Sequence, residues 1–163
     1  RGEICGLMWQ DFDEKAGTLK VLRSVNVPKA GELEIGETKT SQGRRTIRLP
    51  PSTVQRLKER KKHAVSQWIF PEPLAPEKPV RPSAAYYWMK RILREAGLPA
   101  IRFHDLRHTF APLALQNGVD IKTISGMLGH FSVGFTLHTY APVTTAAQKE
   151  AARTMEKVLT AAI

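Results

Sequence analysis

Between positions 103 and 140 the chain carries F-H-D-L-R-H-T-F, then L-G-H at 128–130, then H-T-Y at 138–140. On a helix, His104 and Arg107 are three residues apart and project from the same side. A guanidinium there can grip two oxygens of one phosphate. A neighbouring imidazole can take or give a proton near neutral pH. His130 follows Gly129, where a helix is expected to end, and can donate to a phosphate oxygen. Tyr140 supplies a hydroxyl, a weak nucleophile at its free pKa of about 10 unless cations around a bound phosphate activate it. Together these residues could transfer a phosphoryl group to a tyrosine.

Each residue also has a blander role. Arg107 could belong to a buried Arg–Asp pair, His130 could cap helix carbonyls, and Tyr140 could be a packed aromatic. His104 and His108 have the i, i+4 spacing of zinc helices. The motif is H-D-L-R-H rather than H-E-x-x-H, however, and the Arg107 cation is a poor neighbour for a metal ion. No metal is expected.

The elements that must position these groups follow from the remaining sequence. The chain has 163 residues, enough for one domain with its own core, and 42% hydrophobic residues, ordinary for a folded protein. Lys and Arg number 25 against 15 Asp and Glu, a formal charge of +10 that favours a polyanionic partner such as nucleic acid. Cys5 is the single cysteine, so no internal disulfide forms; a reducing compartment fits. No apolar run approaches the roughly 18 residues of a membrane span, and no signal peptide is visible.

Residues 3–9 read as a helix with Ile4, Leu7 and Met8 on one face. Three strand-like runs follow: Thr18–Val27, Glu32–Lys39 and Arg44–Leu49. In the last, Ile47 and Leu49 alternate with Arg44, Thr46 and Arg48. A small antiparallel sheet with a wet, basic face is expected. Ser52 caps a basic helix carrying Arg56, Lys58, Arg60, Lys61 and Lys62, which is either a solvated face or a DNA contact. Five prolines in 71–82 point to a surface loop. Ser83 starts a helix that Gly97 stops. Ala85, Trp88, Ile92 and Ala96 form its apolar stripe, while Tyr87, Lys90, Arg91 and Arg94 form a face suited to phosphate contact or to solvent. In the helix from 103, Phe103, Leu106, Phe110 and Leu113 are expected to face the core. Asp120 caps a short helix ended by Gly129, Ser132 caps another, and Thr144 or Thr145 opens a last helix to about Leu159.

The sequence resembles the tyrosine recombinases, or phage-type integrases, over essentially its whole length. The resemblance is carried by R-G-E-I-C-G-L-M-W-Q-D-F-D at 1–13, T-K-T-S-Q-G-R-R-T-I-R-L-P at 38–50, H-D-L-R-H-T-F at 104–110, L-G-H and H-T-Y. Each stretch is weak to moderate alone; five in order and at the right spacing are specific. The resemblance implies a mainly α domain with a small three-stranded antiparallel sheet (α+β). It further implies site-specific DNA recombination or integration through a 3′-phosphotyrosyl intermediate, without metal or other cofactor. Tyr140 would attack, Arg107 would bind the nonbridging oxygens, His104 would position or deprotonate the tyrosine, and His130 would donate to the phosphate. Lys39 would protonate the leaving oxygen, a role that rests on the resemblance alone. Arg44, Arg45, Lys90, Arg91 and Arg94 would contact double-stranded DNA. Further recombinase protomers would join in a synaptic complex, in the cytoplasm of a bacterium and encoded there or by a phage.

Two departures stand out. The family's first catalytic arginine lies three residues before the glutamate of the opening motif. That glutamate is Glu3, so the arginine falls just before Arg1. Residues 1–163 are therefore expected to be a catalytic domain lacking its first catalytic arginine and its amino-terminal DNA-binding domain, and to cleave DNA poorly. Pro112 stands where a helix-continuing residue is usual, with distortion expected at His108. The rival readings are a DNA-binding module of the same fold without chemistry and, more remotely, a metal-dependent hydrolase.

Overall fold

The computed structural model describes residues 1–28, 31–37 and 43–129, with 152, 153 and 155. Lys39, His130 and Tyr140 lie outside the described residues, as do the segment 132–140 and most of the predicted last helix.

The chain opens with a one-turn helix α1 (Gly2–Cys5) and a 3₁₀ turn at Trp9–Asp11. Five strands follow: β1 (Phe12–Asp13), β2 (Thr18–Val21), β3 (Arg23–Asn26), β4 (Glu34–Glu37) and β5 (Arg45–Arg48). The predicted run Thr18–Val27 is two strands, broken at Leu22. β2 joins the three-stranded antiparallel sheet β1-β2-β5, while among the described residues β3 pairs only with β4. The break lets one extended stretch serve two cores. Leu19 packs with Trp9, Phe12 and Ile69; Val25 packs with Cys5 and Val80. Both pairings are antiparallel, as expected, but the three-stranded sheet draws its third strand from Phe12–Asp13.

Helix α2 (Pro51–Lys62) starts on Pro51 at its first turn, with no side-chain cap from Ser52; proline's missing N–H costs nothing there. Three of its basic residues have partners within the chain. Arg60 donates to the Ile69 carbonyl at 2.9 Å, Lys61 pairs with Glu14 at 2.6 Å, and Lys62 pairs with Glu59. The proline-rich segment is a short hairpin rather than a plain loop: β6 (Pro71–Glu72) pairs with β7 (Ala75–Pro79). A two-stranded ribbon has only edges, which is where prolines are tolerated.

Helix α3 (Pro82–Glu95) also begins on a proline rather than on a Ser83 cap. It packs through Ala84 and Ala85 against the Cys5–Val25–Val80 cluster, leaving Trp88 and Ile92 of the expected apolar stripe exposed. Helix α4 (Asp105–Gln116) runs unbroken through Pro112. Its expected core face is likewise rotated. Leu106, Phe110 and Leu113 are exposed, and the buried side is Ala111 with Ala114 and Leu115, packed on Ile124 and Leu128 of α5 (Ile121–Leu128). Alanines let two helices approach closely, so the small side chains rather than the large ones mark this contact. Arg107 lies one turn before Ala111 and therefore points along the same seam. α5 starts and stops as the sequence indicated: Asp120 accepts from the Thr123 amide at 2.9 Å, and Gly129 takes φ 67°.

Candidate active site

The last carbonyls of an α-helix have no partner within the helix and carry the negative end of its dipole. At the C-terminus of α5 two arginines meet that demand. Arg107 Nη1 donates to the Leu128 carbonyl at 2.7 Å, and Arg45 Nε donates to the Met127 carbonyl at 2.7 Å. The same two guanidiniums flank Glu3 of α1. Arg45 grips both carboxylate oxygens, Nη1 to Oε1 at 3.0 Å and Nη2 to Oε2 at 2.7 Å, and Arg107 Nη2 stands 3.9 Å from Oε2. α1, β5, α4 and α5 are thus tied at one point by three charged side chains.

That point opens onto a cavity of about 610 Å³ whose lining includes Glu3, Arg45, Arg102, His104 and Arg107. Arg1 lines it too, so the lining holds four arginines and one carboxylate. A concave surface with this surplus of positive charge suits an anion with several oxygens. Burial raises the Glu3 carboxyl's pKa, but the Arg45 hydrogen bonds and the charges of Arg45 and Arg107 outweigh it; the net value lies below the ordinary one. Glu3 is therefore a carboxylate at neutral pH. It was not among the residues singled out for chemistry, although it stands in the opening motif.

His104 is the residue before α4 and shares the cavity with Arg107. Its ring meets that of His108 edge-on, centroids 4.8 Å apart. Burial, then the charges of His108, Arg107 and Arg102, hold its pKa below the ordinary 6.5. The imidazole is consequently neutral at pH 7 and able to accept a proton. An NMR titration should place the His104 midpoint below 6.5, and His108→Gln should move it upward; a midpoint above 6.5 in the free protein would contradict this environment. Asp105 does not form a buried pair with Arg107. It accepts from the Arg102 backbone at 2.8 Å and from the Arg102 side chain, squaring off the start of α4 on the surface.

The remaining predicted DNA contacts divide in two. Arg44, the residue before β5, is in an exposed pair with Glu37. Lys90 lies over the Tyr86 ring, 5.0 Å from its centroid, and Tyr86 itself lines the arginine cavity. Arg91 pairs with Glu95 at 3.4 Å on the surface. Lys90, Arg91 and Arg94 border a second hollow of about 660 Å³. A basic surface therefore continues from the cavity along α3. Arg45 differs from these four: its side chain is 11% exposed, and its guanidinium is spent on Glu3 and on the carbonyls of Met127 and Gly43.

Comparison with known proteins identifies the family and the fold. The sequence model of the Phage integrase family matches residues 1–147. A tyrosine recombinase XerC-like protein of Caldanaerobacter subterraneus is 28% identical over 88% of this chain and 42% of its own length. The tyrosine recombinase XerA of Pyrococcus furiosus is 30% identical over 91% of this chain and 47% of its own. This chain thus spans less than half the length of these relatives. Among solved structures, the Tn1549 transposon integrase in complex with transposon right end DNA superposes with a TM-score of 0.81 at 20% identity, over 95% of this chain and 54% of that one. XerA recombinase superposes at 0.69 and 22%, over 94% and 52%. Those likenesses fix the fold as that of a tyrosine recombinase catalytic domain, and the family match means that the chain belongs to the phage integrase family.

Proposed function

We propose that the chain is the catalytic domain of a site-specific DNA recombinase that cuts and rejoins DNA through a tyrosine. The observation that carries this reading is Arg107. It is held in the wall of an arginine-lined cavity that His104, neutral at pH 7, also lines, in a chain of this family. In the proposed reaction the Tyr140 hydroxyl attacks a backbone phosphorus of duplex DNA. The new bond is a 3′-phosphotyrosyl ester, the broken one is the ester to the 5′ oxygen, and the phenolic proton leaves as Lys39 or another acid protonates that oxygen. Arg107, with His130, spreads the charge of the phosphorane-like transition state. His104, neutral at pH 7, is available as proton acceptor. A 5′ hydroxyl from a second duplex reverses the step and joins the strands. Because the ester conserves the energy of the phosphodiester, the exchange needs no nucleotide. The exposed cations of α3 and Arg44 would follow the DNA backbone, so binding would weaken steeply with salt.

The test is covalent trapping. The protein carrying this chain would be offered a duplex selected by binding from a random pool, nicked beside the selected site so that the cut fragment diffuses away. The expected result is a protein–DNA adduct whose linkage maps by mass spectrometry to Tyr140. Tight binding of the selected duplex with no adduct would overturn the enzymatic reading in favour of a DNA-binding module of the same fold.

A further inference from the structure

We infer that Arg45 is a positioning residue whose task is to keep the Glu3 carboxylate from capturing Arg107. The inference rests on the reading of Arg107 as a phosphate ligand. Glu3 lies 3.9 Å from Arg107 Nη2, just beyond hydrogen-bonding distance. Left to itself, an ionised carboxylate and a guanidinium so close, both partly buried, would close into a two-bond fork. An arginine held in that way competes poorly for a phosphate, because the carboxylate occupies the edge that the phosphate oxygens need and cancels its charge. The geometry prevents this. Arg45 holds both Glu3 oxygens, at 3.0 and 2.7 Å, and is itself anchored by the Met127 and Gly43 carbonyls at 2.7 and 3.1 Å. Its backbone is fixed in β5 opposite Val21. Glu3 is thereby turned into a neutralised strut, and the same guanidinium seats the end of α5 beside the Arg107–Leu128 bond.

This assignment makes an unusual demand on a double mutant. Arg45→Ala is expected to lower cleavage at saturating DNA by ~10²-fold, the scale of an ångström-sized misplacement of a catalytic group, with little change in DNA affinity. Adding Glu3→Gln, which removes the competing charge, is expected to restore at least tenfold of that loss. A purely architectural role predicts the opposite, since the second substitution deletes a further contact and should worsen the first. Arg45→Lys, which keeps a cation on Glu3, should react within about tenfold of the parent; it also serves if the alanine variant folds poorly. The probe throughout is the trapping duplex described above. A double mutant no faster than Arg45→Ala, in protein shown by circular dichroism to be folded, overturns the inference. Failure of the unsubstituted protein to form an adduct would instead strike at the recombinase reading itself.

Discussion

Arg107→Ala is expected to slow DNA strand cleavage by ~10²–10³, the usual consequence of deleting one pre-aimed donor from a developing oxyanion. The side chain enters the cavity from the buried seam between α4 and α5, and its Nη1 bond to the Leu128 carbonyl fixes the plane of the guanidinium before any DNA arrives. Pre-orientation of this kind lets a donor act without reorganising at the moment of reaction. Arg107→Lys should recover little. Lysine keeps the charge but not the planar fork, so it cannot hold the helix carbonyl and a phosphate together. Stability will change as well. Loss of a charged donor to the α5 carbonyl costs about 1.5–3 kcal/mol, so rates must be compared well below the melting temperature. DNA affinity should fall only modestly, with the salt dependence reduced by about one phosphate contact. An alanine variant that cleaves within tenfold of the parent at saturating DNA would remove Arg107 from the reaction.

The sequence placed the polar side chains at the start of α4 more clearly than the packing of the helix. H-x-x-R with a glycine-ended helix downstream placed His104 and Arg107 on one side, and they do share a cavity. The core face was misjudged because large apolar residues were weighted over small ones. Leu106, Phe110 and Leu113 are exposed, and the helix seats through Ala111, where a bulkier side chain would hold α5 away. Arg45 carries a similar lesson. It was grouped with Arg44 as a DNA contact, yet a strand turns alternate residues to opposite faces. Arg45 shares its face with Ile47 and Leu49, the inward one. A cation on an inward face needs a partner, and Glu3 of the opening motif provides it. The period-two rule could therefore have set Arg45 apart from Arg44, although not named its partner. Nothing local marked the division of Thr18–Val27 into two strands, because it is set by which cores Leu19 and Val25 reach.

Gly2→Ala is expected to be the most damaging single-methyl change in the described fold, through both stability and the site. α1 lies so close to β3 that a β-carbon at Gly2 would stand 2.5 Å from Ser24 Oγ and 2.6 Å from the Val25 carbonyl oxygen. The hydroxyl can rotate away. The carbonyl cannot, because Val25 is buried and its strand is paired in register with Ile35 of β4. The helix must therefore lift. That loosens Cys5 from Val25 and Val80, and it carries Glu3, the next residue, away from Arg45. Overpacking of this kind costs about 1–3 kcal/mol, and each kcal/mol lowers the melting temperature of a chain this size by roughly 2–4 °C. Gly36→Ala is the control. It sits in β4 with nothing within 4 Å of its would-be β-carbon, so it should be neutral or slightly stabilising through the unfolded chain. Thermal melts of the two variants side by side decide the matter. Equal melting temperatures would mean that α1 is not held against β3 as described, and with it would go the fixed placement of Glu3 on which the arrangement of the two arginines depends.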